Sequence, residues 1–405
     1  KKKLKLSQTI SKGTITGTVA DLDQERLTKK PEEGIIMEVP KSKLVISDSV
    51  LEDRLPPVEE KVIIKSDAYY MNNREIFINF INSLFAPYKA ELLEASKSAS
   101  CERRDGEEFS LMGHQKIVRD YINMFTPYRG VLLYHGLGSG KTCSSVGIAE
   151  GLKSRNQVII MTPASLRMNY IEQMKKCGDD LYKKNQFWEF INTEANPEYV
   201  DALSGVLNIE KEYIRKNNGA WLINVTKESN YNDLDADEKE SLDNQINKMI
   251  QAKYKFINYN GLRMSHIDAL SRDGAINPFD NKVIIIDEAH NFISRIVNKL
   301  GRSDTISMRL YEYLLSAKNC RIVLLTGTPI INYPNEIGIL FNILRGYIKT
   351  WHIPLNVKTD RKINETVLKS IFEKEKMLDY LEYRPSSKTL IITKNPFGFV
   401  NVRRK

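Results

Sequence analysis

The 405-residue chain has 60 lysines and arginines against 51 aspartates and glutamates, a formal charge of +9, with 41% apolar and 27% charged residues. This suits a globular chain of about two or three structural units, and neither a run of roughly 18 apolar residues nor an N-terminal apolar signal region argues for a membrane span or secretion. Four scattered cysteines, Cys101, Cys143, Cys177 and Cys320, form no CxxC pair, which speaks against a zinc site and for a reducing compartment.

The basic excess favours a polyanionic partner through phosphate contacts. Residues 1–66 mix lysine-rich, Gly/Thr-rich and Pro-Glu stretches with β-prone pieces such as Leu44-Val45-Ile46, and read as an extended basic arm. Residues 67–108 form a helical extension and linker. There Ile76, Phe77, Phe80, Ile81, Leu84 and Phe85 recur at helical spacing, so an amphipathic helix broken near Pro87 is expected, followed by a polar linker, 96–108. Residues 109–345 then alternate: helix 117–125, strands 131–135 and 157–162, helix 166–177, strands 220–226 and 254–258, helix 262–271, strand 282–287, helix 288–300, strand 320–326 and helix 335–344. Repeated units with apolar, β-branched strands predict an α/β domain whose mostly parallel sheet is covered by helices on both faces. Within it, 178–253 reads as an insertion with its own helices around one core strand. The tail, 346–405, holds a helical stretch near 364–383 and a β-prone segment, 389–393.

The run 131–135 is apolar enough for a buried parallel strand, and Gly136, Gly138, Ser139 and Gly140 break it so that Lys141 opens a helix. Strand, glycine turn and helix N-terminus make an anion site, because backbone N–H groups can curl around phosphate oxygens while the helix dipole adds to the attraction. Lys141 can supply charge to the β- and γ-phosphates, and Thr142 a hydroxyl to Mg²⁺. His135 stands where the strict pattern has its first glycine. A second apolar strand ends in Asp287 and Glu288. Asp287 can reach the same metal, and Glu288 can orient or deprotonate the attacking water. A carboxylate pair also suits a plain helix N-terminus, but the phosphate loop upstream decides for the nucleotide reading. The loop, Thr162, Asp287 and Thr326 all fall at strand C-termini, where such sheets bind ligands.

With Asp287-Glu288-Ala289-His290 matching the DEAH box, the chain resembles the superfamily 2 helicases and translocases, and in Leu325-Thr326-Gly327-Thr328-Pro329-Ile330-Ile331-Asn332 their chromatin-remodeller-like branch. It is similar to the helicase-like ATPases of large cytoplasmic DNA viruses, a group that includes the small subunit of the poxvirus early transcription factor and nucleoside triphosphate phosphohydrolase I. The similarity rests on Asn258-Tyr259-Asn260-Gly261-Leu262, on Ile286-Asp287-Glu288-Ala289-His290-Asn291 and on Gly327-Thr328-Pro329-Ile330.

The resemblance covers residues 109–345 and implies a RecA-like P-loop NTPase domain that uses ATP and Mg²⁺. It further implies a nucleic-acid partner, DNA before RNA, contacts with transcription-factor or RNA polymerase subunits, a place in the virion and host cytoplasm, and no membrane partner. By position it makes Lys141 and Thr142 phosphate and magnesium ligands, Asp287 the second magnesium residue, Glu288 the catalytic base and His290 a coupling residue. Thr326 and Thr328 would link γ-phosphate state to strand movement, Thr162, Pro163 and Arg167 would hold the nucleic-acid backbone, and Gln115 would read adenine. Gln115 also suits an ordinary helix-capping amide, and His290 a helix N-terminus. The family's second RecA-like domain supplies arginines in a QxxGRxxR-like motif, and none occurs between Gly346 and Lys405. A second domain is therefore not seen, and slow hydrolysis is expected, since such an arginine is worth roughly 10³ or more in rate in comparable NTPases. Two readings stay open: a nucleic-acid-dependent ATPase motor in viral transcription, and a non-motor transcription-factor or structural subunit in which ATP binding switches assembly.

Overall fold

The computed structural model describes residues 44–56, 69–71, 74–90, 93, 113–122, 128–136, 138–152, 156–302, 304–356, 363–372, 378–395 and 399–401. Five strands, β1 (Gly130–Tyr134), β2 (Gln157–Thr162), β3 (Tyr254–Asn258), β4 (Lys282–Ile286) and β5 (Arg321–Thr326), form one parallel sheet in the order β1-β5-β4-β2-β3. Val-Ile-Ile-Ile in β4 and Ile-Val-Leu-Leu in β5 offer water no polar side, so they are stable only where helices cover both faces. Alternate residues point to opposite faces. Val158, Ile160, Val283, Ile285, Val323 and Leu325 enter one core, and Ile159, Met161, Ile284, Ile286, Ile322 and Leu324 enter the other. Each fully buried side chain of this size contributes about 1.5–3 kcal/mol.

Helices α1 (Gly113–Tyr121), α2 (Lys141–Leu152) and α3 (Arg167–Cys177) lie on the first core. On the second lie α4 (Met264–Ser271), α5 (Ala289–Val297), α6 (Ile306–Ser316) and α7 (Asn335–Arg345). In α5 the apolar residues Ala289, Phe292, Ile293 and Ile296 recur every three or four positions and are all buried, which is why that stretch winds as a helix against the sheet. This is the α/β layering expected from the alternating pattern, and the RecA-like fold that the resemblance implies.

Three expectations are corrected. Residues 220–226 do not enter the sheet: Gly219–Ile223 pairs antiparallel with Trp188–Asn192 as a separate ribbon, packed by helices Glu198–Leu207 and Ala236–Lys253. An apolar run satisfies either setting, and here the neighbouring strand decides. Of the described residues in 364–383, Glu365–Phe372 is helical, but Leu378–Arg384 is a strand in an antiparallel sheet with Thr350–Pro354 and Thr389–Lys394. The cysteines also behave otherwise than their spacing suggests. Cys143 in α2 and Cys177 at the end of α3 are joined in a disulfide, while Cys320 is free and buried. Cys101, the linker 96–108 and residues 1–43 and 57–66 lie outside the described residues. Among those described, no helix is long and apolar enough to cross a membrane.

In the described part of the arm, 44–56, the β-prone piece Val45–Ile46 is a strand. Val45–Ile46 and Ser49–Val50 make a hairpin followed by one helical turn, Leu51–Arg54. Arg54 is wholly buried; its guanidinium donates to the Ile46 carbonyl at 2.9 Å and pairs with Glu189 at 2.6 Å. Val225 N–H donates to the Arg54 carbonyl, and Lys227 pairs with Asp48. The hairpin is thereby clamped to the 188–223 ribbon. Arg54→Ala removes this buried anchor and leaves a void, so it should lower the unfolding free energy by about 2–4 kcal/mol and make 44–56 the earliest site of limited proteolysis. An unchanged melting curve and cleavage pattern would show that the hairpin is held by something else.

Candidate functional site

Parallel register aligns the strand ends. Leu132, Leu324, Ile286, Met161 and Ile257 pair in one row across all five strands, and the Asp287 N–H extends the ladder by donating to the Met161 carbonyl at 2.9 Å. The residues just past that row therefore crowd one edge. A cleft of about 390 Å³ opens there, lined by Gly138, Gly140, Lys141 and Thr142, by Asn169, Tyr170 and Gln173 of α3, and by Asp287 and Glu288. A larger cleft, about 470 Å³, sits at the opposite edge beside Gln157 and Lys282, the first residues of their strands, and holds none of the expected site residues.

The loop is shaped by Gly138 and Gly140, whose φ of +79° and +76° few side chains tolerate. Ser139 Oγ donates back to the Gly136 carbonyl at 2.8 Å. Lys141 Nζ donates to the carbonyls of His135 and Gly136 at 3.1 and 3.2 Å, so the ammonium already lies inside the loop's curve. Gln115, buried on α1, donates to the Gly140 carbonyl at 3.2 Å. Its amide thus braces the phosphate loop where α2 begins. A side chain at Gly140 would collide with it. His135 is half-buried, and burial, with His114 and Lys141 nearby, holds its imidazole below its ordinary value.

Asp287 is nearly buried, and burial together with the Glu288 charge pushes its carboxyl up to about 6 from an ordinary 3.8. Asp287 and Thr142 line the same cleft, and a carboxylate raised in this way suits a cation there. Glu288 caps α5 in the left-handed region, φ +47° and ψ +51°. His290 Nδ1 lies 3.4 Å from the Glu288 carboxylate, 2.8 Å from Thr326 Oγ1 and 3.4 Å from Thr328 Oγ1. Thr328 N–H in turn donates to Thr326 Oγ1 at 3.0 Å. One imidazole thus bridges the end of β4 and the loop after β5. Gly327 also passes close to Lys141, since a β-carbon on it would stand 3.5 Å from Nζ.

Thr162 and Pro163 are buried at the end of β2, and Thr162 Oγ1 has no hydrogen-bond partner among the described residues. Arg167 stands apart from the phosphate loop, its guanidinium 5.3 Å over the Phe256 ring. Two further residues carry the site without having been singled out for a role. Glu336, buried at the start of α7, accepts from the Ile331 and Asn332 N–H groups at 2.7 and 3.2 Å and so anchors the loop after Thr328. The Tyr259 hydroxyl donates toward the Asp287 and Glu288 carbonyls at 3.1 and 3.2 Å. Only Tyr259 lay inside a stretch already notable in the sequence.

The domain that carries this cleft has known relatives. Residues 108–331, more than half of the chain, match the family described as type III restriction enzyme, res subunit. A candidate ATP-dependent RNA helicase of Acanthamoeba polyphaga mimivirus is 28% identical over 66% of this chain and 38% of its own length. A candidate helicase of Invertebrate iridescent virus 3 is 29% identical over 63% of this chain and 22% of its own. A termination factor NPH-I homolog of African swine fever virus is 25% identical over 59% of this chain and 27% of its own. The chain spans well under half the length of each. Among solved structures, the Sulfolobus solfataricus SWI2/SNF2 ATPase core in complex with dsDNA aligns with 61% of this chain and 37% of its own at 16% identity and a TM-score of 0.29. The chain belongs to the type III restriction enzyme, res subunit family, and over that domain it is similar to helicase-like proteins of large DNA viruses.

Proposed function

We propose that this chain is the ATP-hydrolysing half of a nucleic-acid-dependent helicase or translocase motor acting in viral transcription. One observation carries the reading: a single cleft at the carboxyl edge of the sheet joins Lys141 and Thr142 to Asp287 and Glu288, and His290 joins that pair to Thr326 and Thr328. The phosphate loop supplies converging N–H groups and one ammonium for the β- and γ-phosphates. Thr142 and Asp287 are the residues that would hold Mg²⁺, which when bound neutralises phosphate charge. Glu288 would be the base toward the attacking water, and Gln115, which reaches the loop at Gly140, would sense the nucleotide's base. His290 would report the state of Glu288 to Thr326 and Thr328, while Thr162, Pro163 and Arg167 would hold the nucleic-acid backbone. The termination-factor and helicase names of the viral relatives support a DNA or RNA track and transcription partners. ATP turnover measured without nucleic acid and with single-stranded DNA, double-stranded DNA and RNA tests it; turnover indifferent to every nucleic acid would favour the assembly-switch subunit instead.

Lys141→Ala should weaken ATP-Mg²⁺ binding on the order of a hundredfold, since truncating one partner of a buried charge pair costs about 2–5 kcal/mol; equilibrium binding of a fluorescent ATP analogue reads this directly. Glu288→Gln should keep that affinity within about twofold while slowing turnover about 10²- to 10⁴-fold, because the amide keeps the shape but cannot accept a proton. Parent-like turnover would remove Glu288 from the role of base.

A third expectation concerns pH. Because the Asp287 carboxyl is raised to about 6, folding holds its proton more tightly than the unfolded chain does. The stability it contributes is complete below about 3.8 and is lost as pH rises through about 6. Asp287→Asn keeps the acceptor for the Glu288 N–H without the charge. In nucleotide-free samples it should melt roughly 2 °C or more above the parent at pH 8, with the gap closing toward pH 5. Equal melting temperatures at pH 8 would show that Asp287 bears no such cost.

A further inference from the structure

We propose that Tyr259 is a positioning residue for Glu288, holding the strained turn from which the catalytic carboxylate projects; this rests on Glu288 being the base. Tyr259 follows β3, two strands away from β4 in the sheet, yet its ring is only 4% exposed and stands 5.5 Å from Phe292 of α5. Packing alone would explain the ring. It does not explain where the hydroxyl points.

A buried phenol needs an acceptor, and of all the carbonyls along this edge Tyr259 reaches those of Asp287 and Glu288, at 3.1 and 3.2 Å. One hydroxyl hydrogen is shared between them. Burial, with the two carboxylates beyond, drives the phenol far above its ordinary value, so it stays a donor at every working pH. The Asp287–Glu288 peptide is held from three other directions. Asp287 N–H donates to Met161, Glu288 N–H donates to Asp287 Oδ1 at 3.0 Å, and Asn291 N–H donates to the Glu288 carbonyl at 3.0 Å.

That much restraint is needed because Glu288 sits at φ +47°, where a residue with a β-carbon is disfavoured by about 1–2 kcal/mol. Strained backbone of this kind persists only where its surroundings over-determine it. Of the four restraints, Tyr259 supplies the one side-chain donor reaching the carbonyl side from outside the turn. Without it the Asp287 carbonyl loses that donor and the peptide is free to rotate toward the right-handed region. Glu288 would then swing away from His290, which it now approaches to 3.4 Å. Among the described residues Tyr259 does not line the phosphate-loop cleft, so nucleotide affinity should be spared.

Tyr259→Phe keeps the ring and deletes the donor. In the 405-residue chain, single-turnover hydrolysis of radiolabelled ATP should slow about 10- to 100-fold, the scale on which a displacement of a catalytic group near 1 Å is felt, while the dissociation constant for a fluorescent ATP analogue changes less than about twofold. The double variant with Glu288→Gln should hydrolyse at the rate of Glu288→Gln alone, because the tyrosine acts through that carboxylate. A merely structural tyrosine gives a different pattern: weaker nucleotide binding together with slower hydrolysis, or losses that add in the double variant. Either result overturns the proposal. So does a parent-like rate for Tyr259→Phe beside a slow Glu288→Gln. If Glu288→Gln itself hydrolyses at the parent rate, the proposed function fails and takes this inference with it.

Discussion

The strand register is the constraint on which the site depends. Leu324 pairs with Leu132 on one side and Ile286 on the other, and Met161 pairs with both Ile286 and Ile257. Because side chains alternate with a period of two, a slip of one residue in any central strand would exchange the contents of the two cores. It would also move Asp287 or Thr326 by a residue relative to the phosphate loop. The apolar identity of Ile284, Ile285, Leu324 and Leu325, all fully buried, therefore does two jobs. It supplies burial, and it fixes to within a residue where chemistry is presented.

Against that well-packed background the site carries features that packing alone would not select. Asp287 is a carboxylate where desolvation and a like charge disfavour ionisation, and Glu288 is a non-glycine residue in left-handed backbone. Thr162 leaves a buried hydroxyl without a partner among the described residues. These lie within one sheet edge, while the strand interiors carry none of them. The disulfide between Cys143 and Cys177 ties together α2 and α3, which flank the same cleft, so its walls are covalently joined even though its floor is electrostatically costly. Such clustering of local costs is what a functional edge on a stable scaffold is expected to show.

Much of this was legible in the sequence where one residue's chemistry suffices. The interiors of β2, β4 and β5, Val158–Met161, Val283–Ile286 and Ile322–Leu325, are wholly apolar and announce strands buried on both faces, and the glycine turn before Lys141 announces the passage from strand to helix. Legibility failed where a partner decides. Ala220 to Ile223 is as apolar as a core strand, yet its neighbour is Trp188–Asn192 and not the sheet. Leu378–Arg384 offers only Leu381 as a fully buried residue among polar neighbours, a pattern that helical spacing also accommodates. The meeting of His290 with Thr326 spans 36 positions, and that of Cys143 with Cys177 spans 34. Neither separation carries a local signal, because each is set by how whole elements pack. Tyr259 was visible as part of a motif, but the atoms its hydroxyl seeks were not.

The clamp between the N-terminal hairpin and the ribbon has a consequence for the order in which the chain becomes native. Arg54 finds Glu189 across 135 positions and the Val225 N–H across a longer stretch still. Ribosomal synthesis delivers the arginine long before either partner exists. The hairpin must therefore wait, its guanidinium hydrated, until the ribbon has been made and paired. Closing so large a loop costs entropy that only an already formed surface can offset, and contacts of this separation slow folding. Docking of 44–56 thus depends on a ribbon that is made later, and until then the arginine that ends buried has no partner but water.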